Sequence, residues 1–161
     1  MTIAIFPGSF DPITLGHQDV ALRAAKVFDK VYFGVYANPN KNVMFSLDER
    51  VKFAKATFKD VDNIIVTSYD GLTVDFAKEV GASVMVRGLR VSADFEYEFD
   101  MSMMTKKLSP DLNMICFMAN PEYQFLSSSL LKEIASLGGD IRPWVPDPVW
   151  KAIKKKCPKV K

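Results

Sequence analysis

A doubly wound α/β fold, with five parallel strands and helices on both faces of the sheet, is predicted by three features of this sequence. Strand-like apolar runs alternate with helical periodicities five times along the 161 residues, and such alternation builds a parallel sheet through right-handed crossovers. The first run, Ile3 to Phe6, passes through Phe6-Pro7-Gly8-Ser9-Phe10-Asp11-Pro12-Ile13-Thr14-Leu15-Gly16-His17 into helical spacing at Val20, Ala21, Ala24, Val27 and Phe28. That strand-to-helix connection is where open parallel sheets present ligand sites. Apolar residues are 48% of the chain, enough for one sizeable core in a single domain over 1–161.

The elements follow in order. The first helix runs from about Gly16 to Phe28, and Val31 to Tyr36 is a β-branched and aromatic second strand. Residues 37–42 form a loop by composition. Ser46-Leu47-Asp48-Glu49 is a capping box that starts a helix at Leu47. Asn63 to Thr67 reads as the third strand, and Leu72 to Val80 as a helix stopped by Gly81. Ser83 to Val86 is the fourth strand and leads into Arg87-Gly88-Leu89-Arg90. A long helix, about Ala93 to Leu108, ends at Ser109-Pro110. Asn113 to Met118 is the fifth strand, Ser127 to Leu137 a helix ended by Gly138-Gly139, and Pro148 opens the last helix.

The net charge of +2 conceals an asymmetry. Residues 151–161 carry six lysines and no acid, leaving 15 basic and 19 acidic groups in the rest. This basic tail reads as a solvated helix end and frayed terminus. Because only that short stretch is basic, a nucleic-acid partner is not expected. No apolar run approaches the ~20 residues that span a bilayer, and the N-terminus lacks a secretory pattern. A cytoplasmic protein with no membrane partner is therefore expected. Cys116 and Cys157 make no disulfide framework and suit a reducing compartment. One histidine and no paired cysteines argue against a metal site built by the protein. The first turn is not Gly-x-Gly-x-x-Gly and no Gly-Lys-[Ser/Thr] occurs, which argues against dinucleotide dehydrogenases and P-loop enzymes.

The chemistry-bearing residues collect just past the strands. The first strand leads to Ser9, Phe10 and His17, the second to Lys41, and the third to Thr73. The fourth leads to Arg87 and Arg90, and the fifth to the run from Asn120 to Ser129. His17 at a helix start, beside the Ser9 hydroxyl and free backbone amides, forms a site for an anion. Arginines at i and i+3 around Gly88, close to the start of a helix, oppose its dipole unless an anionic ligand compensates them. Three serines opening a helix offer both caps and phosphate donors. Together the set suits a polyphosphate.

Gly-Ser-Phe-Asp-Pro followed by Thr-Leu-Gly-His resembles the signature of the nucleotidyltransferase superfamily, with its Rossmann-like nucleotidyltransferase fold. Arg87 to Glu98, read as Arg-Gly-Leu-Arg-x-x-x-Asp-Phe-Glu-Tyr-Glu, and Tyr123-Gln124-Phe125-Leu126-Ser127-Ser128-Ser129 narrow the resemblance to the phosphopantetheine adenylyltransferase family. The resemblance implies transfer of AMP from ATP to 4′-phosphopantetheine, giving dephospho-coenzyme A and pyrophosphate, in coenzyme A biosynthesis. It implies catalytic roles for His17, Lys41 and Arg90. It places ATP against Ser9, Phe10, His17, Gly88, Leu89, Arg90, Glu98 and the run Tyr123, Gln124, Phe125, Leu126, Ser127, Ser128 and Ser129. It places the acceptor against Ser9, Lys41, Thr73 and Arg87, and brings Mg2+ in with ATP. Tyr123 stands where Trp is common in the family, and Ser9 where Thr is frequent.

Two other readings stay open on the residues. A superfamily member could transfer CMP or AMP to glycerol phosphate or nicotinamide mononucleotide, although Thr14 in place of a first histidine favours pantetheine. A nucleotide-binding regulatory module would lack turnover. Assembly is also legible. In the long helix Phe95, Phe99 and Met103 lie on one face, and Tyr97, Met101, Met104 and Leu108 on the opposite one. A helix covering a sheet buries one face, so the second stripe packs either on a neighbouring helix of the same chain or on another subunit, and a homo-oligomer is predicted. The resemblance implies a hexamer.

Overall fold

A computed structural model describes residues 1–37 and 43–160, without the side chain of Ala93. The strands are β1 (Ile3–Gly8), β2 (Lys30–Tyr36), β3 (Ile64–Tyr69), β4 (Val84–Leu89) and β5 (Asn113–Met118). The helices are α1 (Leu15–Val27), α2 (Leu47–Thr57), α3 (Thr73–Glu79), α4 (Ser92–Leu108), α5 (Ser128–Ser136) and α6 (Asp147–Lys156). The strands form one all-parallel sheet in the order β3-β2-β1-β4-β5. The winding direction reverses between β1 and β4, which sets the crevice outside their carboxyl ends as the ligand position.

Side chains alternate across the sheet with the two-residue strand period. Ala4, Phe6, Val31, Phe33, Val35, Val84 and Val86 enter the larger core, with Val20 and Ala24 of α1, Phe53 of α2, Leu131 of α5 and Ile153 of α6. Ile5 and Met85 face the other way onto Val74, Phe76 and Ala77 of α3. The strands are apolar on both faces for this reason. The C-terminal stretch, expected to fray, is docked instead. Val149 and Ile153 are fully buried and Val160 nearly so, while Lys156 reaches Glu49 at 3.1 Å.

The long helix α4 departs from the expected pattern of one apolar face turned to the sheet. Phe95, Phe99 and Met103 are exposed, and so are Tyr97, Met101, Met104 and Leu108. Among the described residues of α4, the buried side chains are Glu98 and Thr105. The helix spends its inward face on a carboxylate that serves an arginine of β4, which leaves both apolar stripes outside. Edge strand β5 adds exposed Ile115 and Met118 beside it. An apolar surface of this extent marks a contact surface.

Gly34 in β2 exists for packing. A Cβ there would lie 2.7 Å from the Phe76 ring and 3.1 Å from that of Tyr69. These two rings stack at 4.4 Å, so neither can yield freely. Gly34→Ala is expected to destabilise the fold by about 1–3 kcal/mol through overpacking. Urea denaturation checks this, and an unchanged midpoint would contradict the rigidity of the Tyr69–Phe76 stack.

Candidate active site

The connection from β1 to α1 is held by an unusual backbone. Phe10 takes a left-handed conformation, φ 46°, which costs a non-glycine residue about 1 kcal/mol or more. Its ring is buried, stacks on Phe33 at 4.0 Å and meets Phe6 edge-on, so aromatic burial offsets the strain. A Cβ on Gly8 would fall 2.8 Å from that ring, so the close turn requires glycine here. Asp11, also buried, accepts the amides of Met44 and Phe45, both at 2.9 Å. The buried Arg50 of α2 donates to the carbonyls of Ser9, Tyr36 and Phe45.

His17 sits at the third position of α1 in a reciprocal cap. The Thr14 hydroxyl accepts the His17 amide at 3.3 Å, and the Thr14 amide donates to His17 Nδ1 at 3.1 Å. An Nδ1 that accepts leaves the proton of a neutral ring on Nε2. The Phe10 ring lies edge-on to the imidazole at 5.1 Å. Burial, then the charges of Arg90 and Arg87, lower the His17 pKa to about 4. At neutral pH the site therefore presents an uncharged N–H donor.

Both arginines are held by carboxylates of α4. Arg87 makes a bidentate pair with Glu98, with Nη2 to Oε1 at 2.7 Å and Nε to Oε2 at 2.9 Å, and donates to the Pro7 carbonyl. Burial opposes its charge, but the Glu98 hydrogen bonds and charge outweigh this and raise its pKa. Arg90 pairs with Asp94 at 3.0 Å and donates to the Leu126 carbonyl at 2.7 Å. Burial pushes the Asp94 pKa up, but the hydrogen bonds and charge of Arg90 together with the Val91 amide lower it on balance. The guanidiniums are thus oriented before any ligand arrives.

Two cavities meet at the Arg87–Glu98 pair. The first, about 240 Å3, is lined by Phe10, His17, Arg87, Gly88, Arg90, Glu98, Tyr123, Leu126, Ser127 and Ser128. The second, about 410 Å3, is lined by Ser9, Thr73, Arg87, Glu98 and the apolar or aromatic Tyr36, Tyr69, Leu72, Tyr97, Met101, Met104 and Met114. One compartment is rich in donors and cations, the other is mostly greasy. Ser127 caps α5 by accepting the Leu130 amide, and the Ser128 hydroxyl donates to the Pro12 carbonyl at 2.7 Å. Ser129 is exposed.

Sequence-predicted residues divide accordingly. Ser9 and Thr73 line the second cavity rather than the first. Leu89, Gln124, Phe125 and Ser129 line neither, and Phe125 packs edge-on against Trp144 at 5.8 Å. Lys41 lies outside the described residues. Asp94 and Arg50 have no expected role from the sequence, and Thr14 enters there only as a motif residue in place of a first histidine. Asp94 sits inside the Arg87–Glu98 motif in the first turn of α4, and its spacing of four from Arg90, which precedes the helix, is the signal that could have found it.

His17 is the only histidine, so its ring signals in NMR are unambiguous. They are expected to titrate with a midpoint of about 4 in the ligand-free protein; a midpoint near 6.5 would contradict the buried, cation-flanked setting. The unfolded chain holds a proton on this ring below about pH 6.5. Folding stability therefore falls as pH drops from about 6.5 toward 4, because the unfolded state then binds more protons than the native one.

Comparison with known proteins places this geometry. Residues 5–134 match the cytidylyltransferase-like family model. The chain is 48% identical to a phosphopantetheine adenylyltransferase of Roseiflexus castenholzii over 155 residues, 96% of this chain and 97% of that one. It is 49% identical to that of Clostridium tetani, covering 97% and 98%, and 47% identical to that of Clostridium novyi over the full length of both. A solved structure from Vibrio parahaemolyticus, provisionally assigned as a nicotinate-nucleotide adenylyltransferase, superposes with TM-score 0.70 at 21% identity, covering 95% of this chain and 99% of that one. That likeness concerns the fold. With near half-identity over almost its entire length and the site motifs in place, the chain belongs to the phosphopantetheine adenylyltransferase family of cytidylyltransferase-like proteins.

Proposed function

We propose that this protein transfers AMP from ATP to 4′-phosphopantetheine, giving dephospho-coenzyme A and pyrophosphate, as a cytoplasmic step of coenzyme A biosynthesis. The observation that carries the reading is a neutral histidine N–H and two oriented guanidiniums converging on one cavity that abuts a second, apolar one. A triphosphate suits the first. The thin, partly apolar pantetheine arm suits the second, where Thr73 and the rings of Tyr69 and Tyr36 lie.

In the reaction a phosphate oxygen of the acceptor bonds to the α-phosphorus of ATP, and the α–β bridging bond breaks to release pyrophosphate. The nucleophile is already anionic, so no base is needed to activate it. The difficulty is bringing like charges together in line, which positioning and fixed donors overcome. His17 Nε2–H would donate to α-phosphate oxygens as charge spreads there. A neutral donor needs no proton transfer, and an imidazolium is disfavoured beside Arg87 and Arg90. Arg90 would take the leaving phosphates, and Arg87 and Lys41 the acceptor phosphate. Among the described residues no three acids, histidines or cysteines group to hold a metal, and Asp94 and Glu98 are committed to arginines. Mg2+ would therefore be carried by the phosphate oxygens of ATP, whose charge it neutralises.

The exposed stripes of α4 support a homo-oligomer, with the hexamer as the family assembly. Sedimentation velocity at micromolar concentration is expected to show one species well above 18.1 kDa, and Met101→Glu with Met104→Glu to shift it downward. A single 18.1 kDa species for the unmodified protein would contradict this.

Purified protein with ATP, Mg2+ and a panel of phosphate acceptors, read by product mass, tests the substrate assignment. Turnover of 4′-phosphopantetheine is expected; turnover of nicotinamide mononucleotide or glycerol phosphate instead would overturn it. His17→Ala removes the Nε2–H donor at a partly exposed helix start and opens no core cavity. It is expected to fold normally and lose at least about 10²-fold in kcat, as for a missing oxyanion donor. An unchanged kcat would remove His17 from the chemistry.

A further inference from the structure

One buried ion pair outside both cavities is not used by the chemistry described above. Lys132, in the second turn of α5, places Nζ 2.8 Å from Asp11 Oδ2. The Asp11 side chain is 2% exposed and that of Lys132 21%. The same Oδ2 accepts the amide of Met44, and Oδ1 accepts that of Phe45. One carboxylate thus holds three pieces of chain: its own β1–α1 loop, the segment leading into α2, and α5. Four residues before Lys132, the Ser128 hydroxyl donates to the Pro12 carbonyl. Lys132 and Ser128 are neighbours on one face of the helix, so the two bonds fix the start of α5 against the β1–α1 loop at two points one turn apart. Ser127 and Ser128 line the donor-rich cavity. Met44 and Phe45 close the segment whose upstream residue Lys41 is the expected acceptor ligand.

We propose that Lys132 is a positioning residue for AMP transfer, acting through Asp11 to keep the start of α5 in register with the segment that leads into α2. The proposal rests on the adenylyltransferase reading above. The physical reason is directional. A buried carboxylate that loses its ammonium partner attracts water or moves toward another charge, and it carries the Met44 and Phe45 amides with it. Arg50 supplies a second positive charge near Asp11 and bonds Ser9, Tyr36 and Phe45 independently. The fold therefore has a support other than Lys132, and its removal should loosen the register rather than unfold the chain. In-line transfer is sensitive to sub-ångström misplacement, so the loss should appear in kcat more than in binding.

The test compares wild type with Lys132→Met and Lys132→Arg by steady-state kinetics with ATP and 4′-phosphopantetheine, and by amide hydrogen exchange. Lys132→Met is expected to exchange the Met44 and Phe45 amides about 10-fold faster, although both lie far from residue 132 in sequence. It is expected to lower kcat about 10-fold with each KM changed less than about 3-fold. Lys132→Arg, which keeps the charge, should recover most of kcat. If Lys132→Met does not fold, Lys132→Gln, with a donor one bond shorter, is measured in the same way. Unchanged exchange at Met44 and Phe45, or a kcat within 2-fold of wild type, overturns the proposal. A loss of thermal stability with exchange altered only inside α5 also overturns it. A wild type that does not turn over this substrate pair refutes the adenylyltransferase reading instead, and exchange at the two amides then decides the tether by itself.

Discussion

The buried carboxylate of Asp11 is the point on which the rest of the site depends. A charge removed from water costs several kcal/mol unless it is fully compensated. Here two backbone amides, the Lys132 ammonium and the nearby Arg50 supply that compensation. The requirement works in reverse as well: because the charge must be compensated, the segments that supply the donors are held together. The β1–α1 loop, the approach to α2 and the start of α5 become one body. On that body the left-handed Phe10 can persist despite its local cost, next to the Thr14–His17 cap.

Charge in the site is arranged by the same logic. Arg87 and Arg90 would repel each other and would suppress protonation of His17. Glu98 and Asp94, both on α4, pair with one each. The pairs keep the guanidiniums in place while their remaining N–H groups reach the Pro7 and Leu126 carbonyls at the cavity walls. The cost appears on α4. Turning Glu98 inward leaves both apolar stripes of that helix uncovered in the isolated chain. The orientation of Arg87 and the exposure of both stripes are then consequences of one choice of helix face.

Much of this was legible in the sequence. All five strands and all six helices lie where periodicity and caps put them, because the strands are short apolar runs bounded by glycine, proline or capping residues. The Ser46–Glu49 capping box appears as written, with both reciprocal bonds. Local signals did not reach three features. The polar inner face of α4 depends on a partner 11 residues away in the chain, Arg87, which periodicity alone does not reveal. Arg50 reads as an ordinary helix-surface cation, yet it is buried because three carbonyls from different segments need a donor. The last residues look like a solvated basic tail, but Ile153 and Val160 among the lysines anchor them to the core. In the site, the motifs located the walls of the first cavity, while its division from the second by an ion pair required the fold.

The central claim is that fixed donors and cations, rather than a covalent intermediate on the protein, carry AMP to the acceptor. The stereochemical course at the α-phosphorus tests it most directly. With ATP made chiral at that centre by one sulfur substitution, a single in-line displacement inverts the configuration found in the dephospho-coenzyme A product. Inversion is the result this account predicts. Retention would mean two displacements through an enzyme-bound adenylyl group, with His17 as the first group to suspect, and would contradict the account.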